Sequence, residues 1–546
     1  MTSRDQDIPV LIAGGGPVGL MVARVLGRYG VRALLVERNH APTRHPKMDI
    51  TNARSMELFR RYGLEEQLRA VAVPETSPFD VSWITSLVGH ELHRFRYMSP
   101  EIMRRYIRSH NDGTQPQVPP MRVSQVEIEP VMREASSQEP TIETRFGMVL
   151  EDLNIDGDTV QSTLRDLDTD DVETIRCRYL VGCDGGASRV RTCLDIGLEG
   201  EAAVMQRYMV HFRSTATDVL QPFGVTWHYQ SALGTLIAQN DRDVWTLQTR
   251  PPEGVAPDEV DPHERLRAFA GTDFDYEILV ANSWTPHLLV ADSYGADRVF
   301  LAGDAAHQYI PTGGYGMNTG IGDAVDIGWK LAAVIKGYAS HDILRSYDLE
   351  RRPVGLRNRD GSRRHTVVRM EIASIYANEL AGGEGANAGQ RRKASDAIAA
   401  LGNAENESWG LEFGYAYVES PIVWHEDGNQ VSADPVSYTP STLPGARLPS
   451  INLADGTSLY DRLGPWFTLL SFCGAPSERW FAIAEIYAVP LELVVIDEPA
   501  LRGVYQSGLI LVRPDTHVAW RGPSSVCDDA EIDRIFARVL GWEMET

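Results

Sequence analysis

Cysteine is scarce. Five residues in 546 (Cys177, Cys183, Cys193, Cys473 and Cys527) form no CxxC pair, and their number is odd, which argues against a disulfide framework or a four-thiolate zinc centre. A reducing compartment fits that usage. No run of about 18 apolar residues occurs, and the opening MTSRDQDIP lacks the apolar stretch of a secretory signal, so a soluble cytoplasmic protein with no membrane partner is expected. Positive charge is also short: 52 Lys plus Arg against 75 Asp plus Glu leave a net charge of −23. Such a chain repels phosphate backbones, so no nucleic-acid partner is expected. P-loop, HExxH and GxSxG motifs are missing, and so is CxxC with paired histidines, so no metal is expected.

What is present is ordinary globular material. Hydrophobic residues make up 43% and charged residues 23%, enough core for two to four packed units at roughly one per 100–200 residues. The first chemistry signal is the apolar run Pro9–Ala13, followed at once by Gly14-Gly15-Gly16-Pro17-Val18-Gly19 and an amphipathic stretch to about Tyr29. Gly30 ends that helix, and Val31–Val36 reads as a second buried strand closed by Glu37. This is a βαβ dinucleotide unit: Gly14 for the tight turn, Gly16 for approach of a pyrophosphate, and Gly19 for close helix packing. The helix N-terminus supplies free N–H groups, and Glu37 can accept hydrogen bonds from ribose hydroxyls. The unit leaves NAD, NADP and FAD undecided. Arg38 beside Glu37 is either a 2′-phosphate contact or a solvated base.

Two further strand ends carry similar turns. Cys177–Cys183 runs into Asp184-Gly185-Gly186, with Ser188, Arg189 and Arg191 beyond it. Arg298–Ala302 runs into Gly303-Asp304 and on to Pro311-Thr312-Gly313-Gly314-Tyr315-Gly316-Met317-Asn318-Thr319-Gly320, with a helix expected from about Ile321 to Lys336. Asp304 can accept a hydrogen bond from a hydroxyl, and the glycine-rich stretch can lie beside a flat ring, with N–H groups of Gly316, Met317 and Asn318 able to stabilise negative charge on it.

In this order the three motifs resemble the class A flavoprotein monooxygenases, the p-hydroxybenzoate hydroxylase-like group acting on phenols and aromatic polyketides. The resemblance implies FAD on Gly14, Gly16, Pro17, Val18, Gly19 and Glu37, with Asp184 and Gly185 touching FAD and NAD(P)H. It places Gly303, Asp304, Pro311, Gly314, Gly316, Met317 and Asn318 along the ribityl chain and ring. Met121-Arg122-Val123-Ser124-Gln125 is similar to the segment whose Arg and Gln bond the diphosphate and ribityl region, which adds Arg122 and Gln125. Lys47, with Arg44, is a candidate for attracting the phosphates. The implied reaction consumes NADPH or NADH and O2 and hydroxylates a small phenolic substrate through a C4a-hydroperoxyflavin. A Baeyer–Villiger oxygenation on the same scaffold and a non-catalytic flavin-binding or product-binding protein stand as alternatives.

The implied fold class is α/β with α+β elements: a Rossmann-type FAD domain (1–80, 119–195 and 286–345), an inserted antiparallel substrate sheet (81–118 and 196–285), a helical connector (346–405) and a C-terminal thioredoxin-like α/β domain (406–546). In the inserted sheet the aromatic-rich strands Tyr208–Arg213, Gly224–Tyr229 and Val244–Gln248 offer His211, Trp227, His228, Tyr229 and Trp245 as substrate contacts, and Asp49 and Asn52, which follow the second strand, are candidates to approach the ring or NAD(P)H. No single base stands out: His211, His228, Tyr229 and Tyr315 are equivalent candidates. The terminal domain lacks a redox pair, since Cys473 stands alone, so a scaffold or homodimer role is expected for it.

Overall fold

Val10, Leu11 and Ile12 have no exposed surface. A strand apolar on both faces belongs in the middle of a covered parallel sheet. The computed structural model, which describes residues 8–381, 385–428, 430–526 and 528–543, places it there. Ile8–Ala13 pairs in parallel with Val172–Gly182 on one side and Ala33–Glu37 on the other, with Val299–Leu301 and Ile142–Phe146 completing the parallel set. The register aligns the motifs. Ala13 is opposite both Gly182 and Val36, and Gly182 is opposite Leu301, so all three turns leave the carboxyl edge of the sheet side by side. In open α/β sheets that edge is where ligands bind.

Helix α1 (Pro17–Arg28) starts straight after the first strand, with Pro17 in its first turn, where a missing N–H costs nothing. Helix α2 (Tyr315–Ile335) is buried on nearly all sides and packs against α1. It begins at Tyr315, six residues before the expected Ile321. The glycine-rich segment is therefore partly the first turns of this helix rather than an extended loop.

A seven-stranded sheet is inserted between the motifs, in the order Glu277–Trp284, Arg207–Arg213, Val244–Thr249, Gly234–Ala238, His228–Ser231, Val81–Ile84 and Glu91–Phe95. Its pairings are antiparallel except one: His228–Ser231 runs parallel to Val81–Ile84. The strand expected at Gly224–Tyr229 starts only at His228. Strict alternation divides its side chains. One face buries Tyr208, Val210, Phe212, Tyr229, Leu236, Trp245 and Leu247 under the helix Pro262–Ala270, which contributes Leu266 and Phe269. The other face looks toward the nucleotide sheet.

Helix α3 (Ser346–Glu379) packs against α2 and runs on to the inserted sheet, where Arg369 meets Thr235 and Tyr376 meets Trp83. Beyond it, the strands Leu491–Val495, Phe467–Ser471, Leu509–Val512 and Val518–Gly522 form a four-stranded sheet in the sequence order 2-1-3-4, with helices Arg479–Ile486 and Asp529–Val539 on one face. That β-α-β then β-β-α arrangement is the thioredoxin-like architecture. Cys473 is a free, exposed thiol there, and Cys527 lies outside the described residues. The terminal sheet is bolted to the rest by buried charge. Arg513 donates to Glu350 of α3 at 2.7 and 2.8 Å and to Asp515 at 2.6 Å, while Lys330 of α2 lies 2.6 Å from both Asp326 and Glu350. Asp326, Glu350 and Asp515 come close enough to share an ion, but the two cations already stand among them. Among the described residues no helix is long and apolar enough to cross a membrane.

Candidate active site

The three turns define a cradle. Gly14 has φ +109°, and a Cβ there would meet the Cys183 carbonyl at 2.3 Å, so only glycine fits the turn. A Cβ on Gly19 would lie 1.9 Å from the Gly14 carbonyl, the close helix approach the motif requires. Gly16 differs: nothing lies within 4 Å of its missing Cβ, and it caps α1 without a side-chain bond. Open space in front of an uncapped helix N-terminus is a diphosphate site. At the end of the second strand the Glu37 carboxylate accepts the Gly15 N–H at 2.7 Å and the Asn39 N–H at 2.8 Å. It is thereby aimed, with acceptor capacity left for ribose hydroxyls.

The third turn faces the start of α2. Asp304 is exposed, and its carboxylate oxygen is 3.9 Å from where a Cβ on Gly316 would sit, so an acceptor lies beside the uncapped N–H groups of the first turn of α2. Gly314, in the left-handed conformation at φ +66°, packs on Ile50, and Asn318 ties the helix to the preceding segment by accepting the Asn52 N–H at 3.1 Å and donating to the Ile50 carbonyl at 3.1 Å. These donors, acceptor and open spaces fit an FAD: diphosphate at Gly16, adenosine ribose at Glu37, ribityl chain at Asp304, ring at the N-terminus of α2.

Several expected contacts are corrected by the geometry. Arg122 donates to both carboxylate oxygens of Asp241 at 3.0 and 2.7 Å and to the Pro78 and Ala238 carbonyls. Its guanidinium is consumed in pinning the inserted sheet to the nucleotide domain, so only Nε remains without a protein partner. Gln125 spends its amide on Glu129 at 2.7 Å. Asp184 accepts the Ser188 hydroxyl and the Arg189 and Val190 N–H groups, which shapes the turn and leaves Gly185, at φ +84°, as the open surface. Val18 is a spacer wedged against Gly303 and Gly320. Arg38 and Lys47 are exposed.

The substrate candidates separate by face. Tyr229 and Trp245 point away from the cradle: the Tyr229 hydroxyl donates to the Gly224 carbonyl, the Trp245 indole to the Ser214 carbonyl, and both rings belong to the outer apolar cluster. Period-two alternation fixes this, so neither reaches a substrate. The Tyr315 hydroxyl pairs with His365 Nε2 at 2.8 Å, and burial raises its pKa, which disqualifies it as a base. His211 stays on the inner face, but its Nδ1 lies 3.1 Å from the Trp245 carbonyl, and burial lowers its pKa to about 4.

Trp227 and His228 converge on Asp49. The Trp227 indole N–H donates to Asp49 Oδ2 at 2.8 Å, and His228 Nε2 lies 3.1 Å from the same oxygen. Phe79, Ile50, Tyr97 and Ile237 pack around Trp227. Because Ile50 also contacts Gly314, this cluster stands directly over the start of α2. His228 is 6% exposed, and its Nδ1 has no protein partner.

Sequence reasoning missed the supports. Arg369 of α3 donates to Glu405 at 2.7 Å through two nitrogens and reaches the Thr235 hydroxyl of the inner sheet face at 3.3 Å. Buried Asp323 accepts His307 Nε2, the Gly303 N–H and Arg351 Nε, and so locks the third turn to α2 and α3. The polar His307 immediately after Gly303-Asp304-Ala305-Ala306 was a visible signal for this network. Arg369 and Glu405 carried none, because they meet only in the fold.

A chain with this cradle and this inserted sheet is a flavin-dependent oxygenase. Residues 7–362 match the FAD binding domain family and residues 441–542 the C-terminal domain of aromatic-ring hydroxylases, so the chain belongs to the class A FAD-dependent aromatic monooxygenases. It is 37% identical to the FAD-dependent monooxygenase apdD of Emericella nidulans, over 98% of this chain and 90% of that protein. It is 29% identical to a 4-methyl-5-nitrocatechol 5-monooxygenase of a Burkholderia species, over 95% of each. The crystal structure of the flavin-dependent monooxygenase PieE with FAD and substrate superposes with a TM-score of 0.88 at 28% identity, covering 99% of this chain and all of that one.

Proposed function

We propose that the chain hydroxylates a phenolic ring at the expense of NAD(P)H and O2, with the ring held between the inner face of the inserted sheet and the start of α2. The observation that carries this reading is the convergence of Trp227 and His228 on Asp49 above the flavin cradle. Bound FAD supplies hydride acceptance and the activation of O2. The chain's own residues then have three tasks. Uncapped N–H groups at Tyr315, Gly316 and Met317 would favour the anionic form of a ring bound at the start of α2. The inserted sheet covers the site and excludes water.

The third task is proton management at His228. Donation from Nε2–H to Asp49 fixes the tautomer and leaves Nδ1 as an acceptor for a phenolic proton. Deprotonation makes the ring more nucleophilic at the carbons ortho and para to oxygen, which is what electrophilic oxygen transfer needs. The name of the Burkholderia relative, an enzyme acting on a catechol, supports the same substrate chemistry.

The test is a panel of phenols, hydroxybenzoates and polyketide quinols offered to the FAD-loaded protein. The reading expects at least one to accelerate NAD(P)H oxidation without matching release of H2O2. A protein that binds FAD but consumes NAD(P)H at the same rate with every phenol refutes it.

A further inference from the structure

The inner face of the inserted sheet is laid out in rows. His211, Thr246, Ile237 and His228 are cross-strand neighbours in one row, and Met209, Gln248, Thr235 and Gln230 form the next. One step further along, beyond the Tyr208–Thr249 pair, Arg207 and Arg250 extend adjacent antiparallel strands toward the same face, with Trp284 opposite Arg207. Like charges on neighbouring strands destabilise a sheet unless something neutralises them.

No ion pair among the described residues does so. Among the described residues, neither Arg207 nor Arg250 has an ion-pair partner, in a chain whose other arginines are extensively paired and whose net charge is −23. The nearest further cation, Arg369, is already committed to Glu405. Burial first, then the neighbouring charges of Arg250 and Arg369, depress the Arg207 pKa to about 10 against the opposing field of Glu405. Arg250 lines a cavity of about 580 Å³ together with Val204, Met205, Gln206, Pro251 and Met370, and Arg207 follows Gln206 in the chain at its edge. Apolar walls beside an unpaired guanidinium make a binding site for an organic anion.

We propose that Arg207 and Arg250 bind an anionic group, a carboxylate or ionised acidic enol, at the far end of an extended aromatic substrate. This rests on the reading of Asp49 and His228 as the reacting end. Arg207 and His211 are four positions apart along one strand, so the anion sits about 13 Å from the His211–His228 row. Arg369 stands between the two ends, since it reaches the Thr235 hydroxyl of the intervening row at 3.3 Å. The substrate class is thus a multi-ring or chain-bearing phenol with a distal acid, rather than a simple phenol.

Binding separates this proposal from the catalytic one. The probes are a hydroxyterphenyl carboxylate and its neutral carboxamide, titrated into the FAD-loaded protein and followed through the flavin absorption spectrum. The carboxylate should bind about 10- to 100-fold more tightly than the amide. Arg207→Met and Arg250→Met should erase that preference while leaving the amide affinity unchanged, and Arg207→Lys should retain part of it. Equal affinities in the wild type, failure of both probes to bind, or a preference that survives the double substitution overturns the proposal. So does an effect of the arginine variants confined to the KM for NAD(P)H, which would put the nucleotide phosphate there. A preference for the acid without any turnover sinks the hydroxylase reading and leaves the anion site standing.

Discussion

The Asp49 carboxylate and His228 Nε2 lie 3.1 Å apart across the seam between the nucleotide domain and the inserted sheet. Neither residue belongs to a cofactor motif, and 178 positions separate Asp49 from His228's neighbour Trp227, which shares the same oxygen. The seam brings the pair proposed to handle the proton to where the start of α2 and the sheet meet, through Ile50 packed on Trp227 and Gly314.

Removing that pair should slow chemistry while sparing the cofactor. Asp49→Asn and His228→Gln are each expected to lower kcat about 10²- to 10³-fold, the usual size of a general-base contribution, with FAD content unchanged. Stopped-flow reduction and steady-state turnover on an active phenol check this. Variants with wild-type kcat would remove the pair from the mechanism.

The glycine turn makes a sharper distinction. Gly16 has open space where a Cβ would go, so Gly16→Ala should leave the melting temperature of the FAD-free protein nearly unchanged while weakening FAD by about 10-fold or more. Gly19→Ala should do the reverse first, because its Cβ collides with the Gly14 carbonyl and costs the fold about 1–3 kcal/mol. Thermal melts with and without FAD tell the two apart.

The buried network between the terminal domain and α3 predicts a large, local dependence on charge. Arg513→Met leaves Glu350 and Asp515 without their bidentate partner and should cost about 3–5 kcal/mol. Chemical denaturation measures it. Because the network touches α2 only at Asp326 and Lys330, about three turns from its N-terminus, FAD affinity in the folded fraction should be unaltered.

Stability should also vary with pH through Glu412. Burial raises this carboxyl to about 8 in the folded protein. The folded chain then holds a proton that the unfolded chain has released above its ordinary carboxylate pKa, so this contribution is fully present at low pH and lost as pH rises toward 8. Buried His517, held down to about 4, acts in the opposite direction: the unfolded chain takes its proton first, and stability falls as pH drops from 6.5 toward 4. Glu412→Gln should flatten the alkaline slope of denaturation midpoints between pH 5 and 8. It should leave the acid limb in place, and an unchanged alkaline slope would contradict the assignment.

How much of this was legible in the chain depends on the range of the interaction. The three nucleotide turns were readable because each is a local strand, turn and helix whose glycines have local steric causes, and the sheet register then placed them side by side. The start of α2 was misplaced because glycines at 313, 314, 316 and 320 read as a loop, whereas Gly316 and Gly320 lie in the helix, with Gly320 packed on Val18 and Asn318 donating to the Gly314 carbonyl. Arg122 and Asp184 were singled out for the cofactor, and the structure adds protein partners that the sequence did not show. Their contacts, with Asp241 across the domain seam and with the following turn, depend on folded distances. Tyr229 and Trp245 failed for a simpler reason: composition shows that a strand is aromatic-rich, but only register shows which face meets the site.

The central claim, that oxygen is transferred to a phenolic ring, is tested most directly with labelled dioxygen. FAD-loaded protein, NAD(P)H and an active phenol under ¹⁸O2 should give a hydroxylated product carrying one labelled oxygen on the ring, in proportion to the reductant consumed. Label found only in H2O2, or in an ester or lactone, would contradict it.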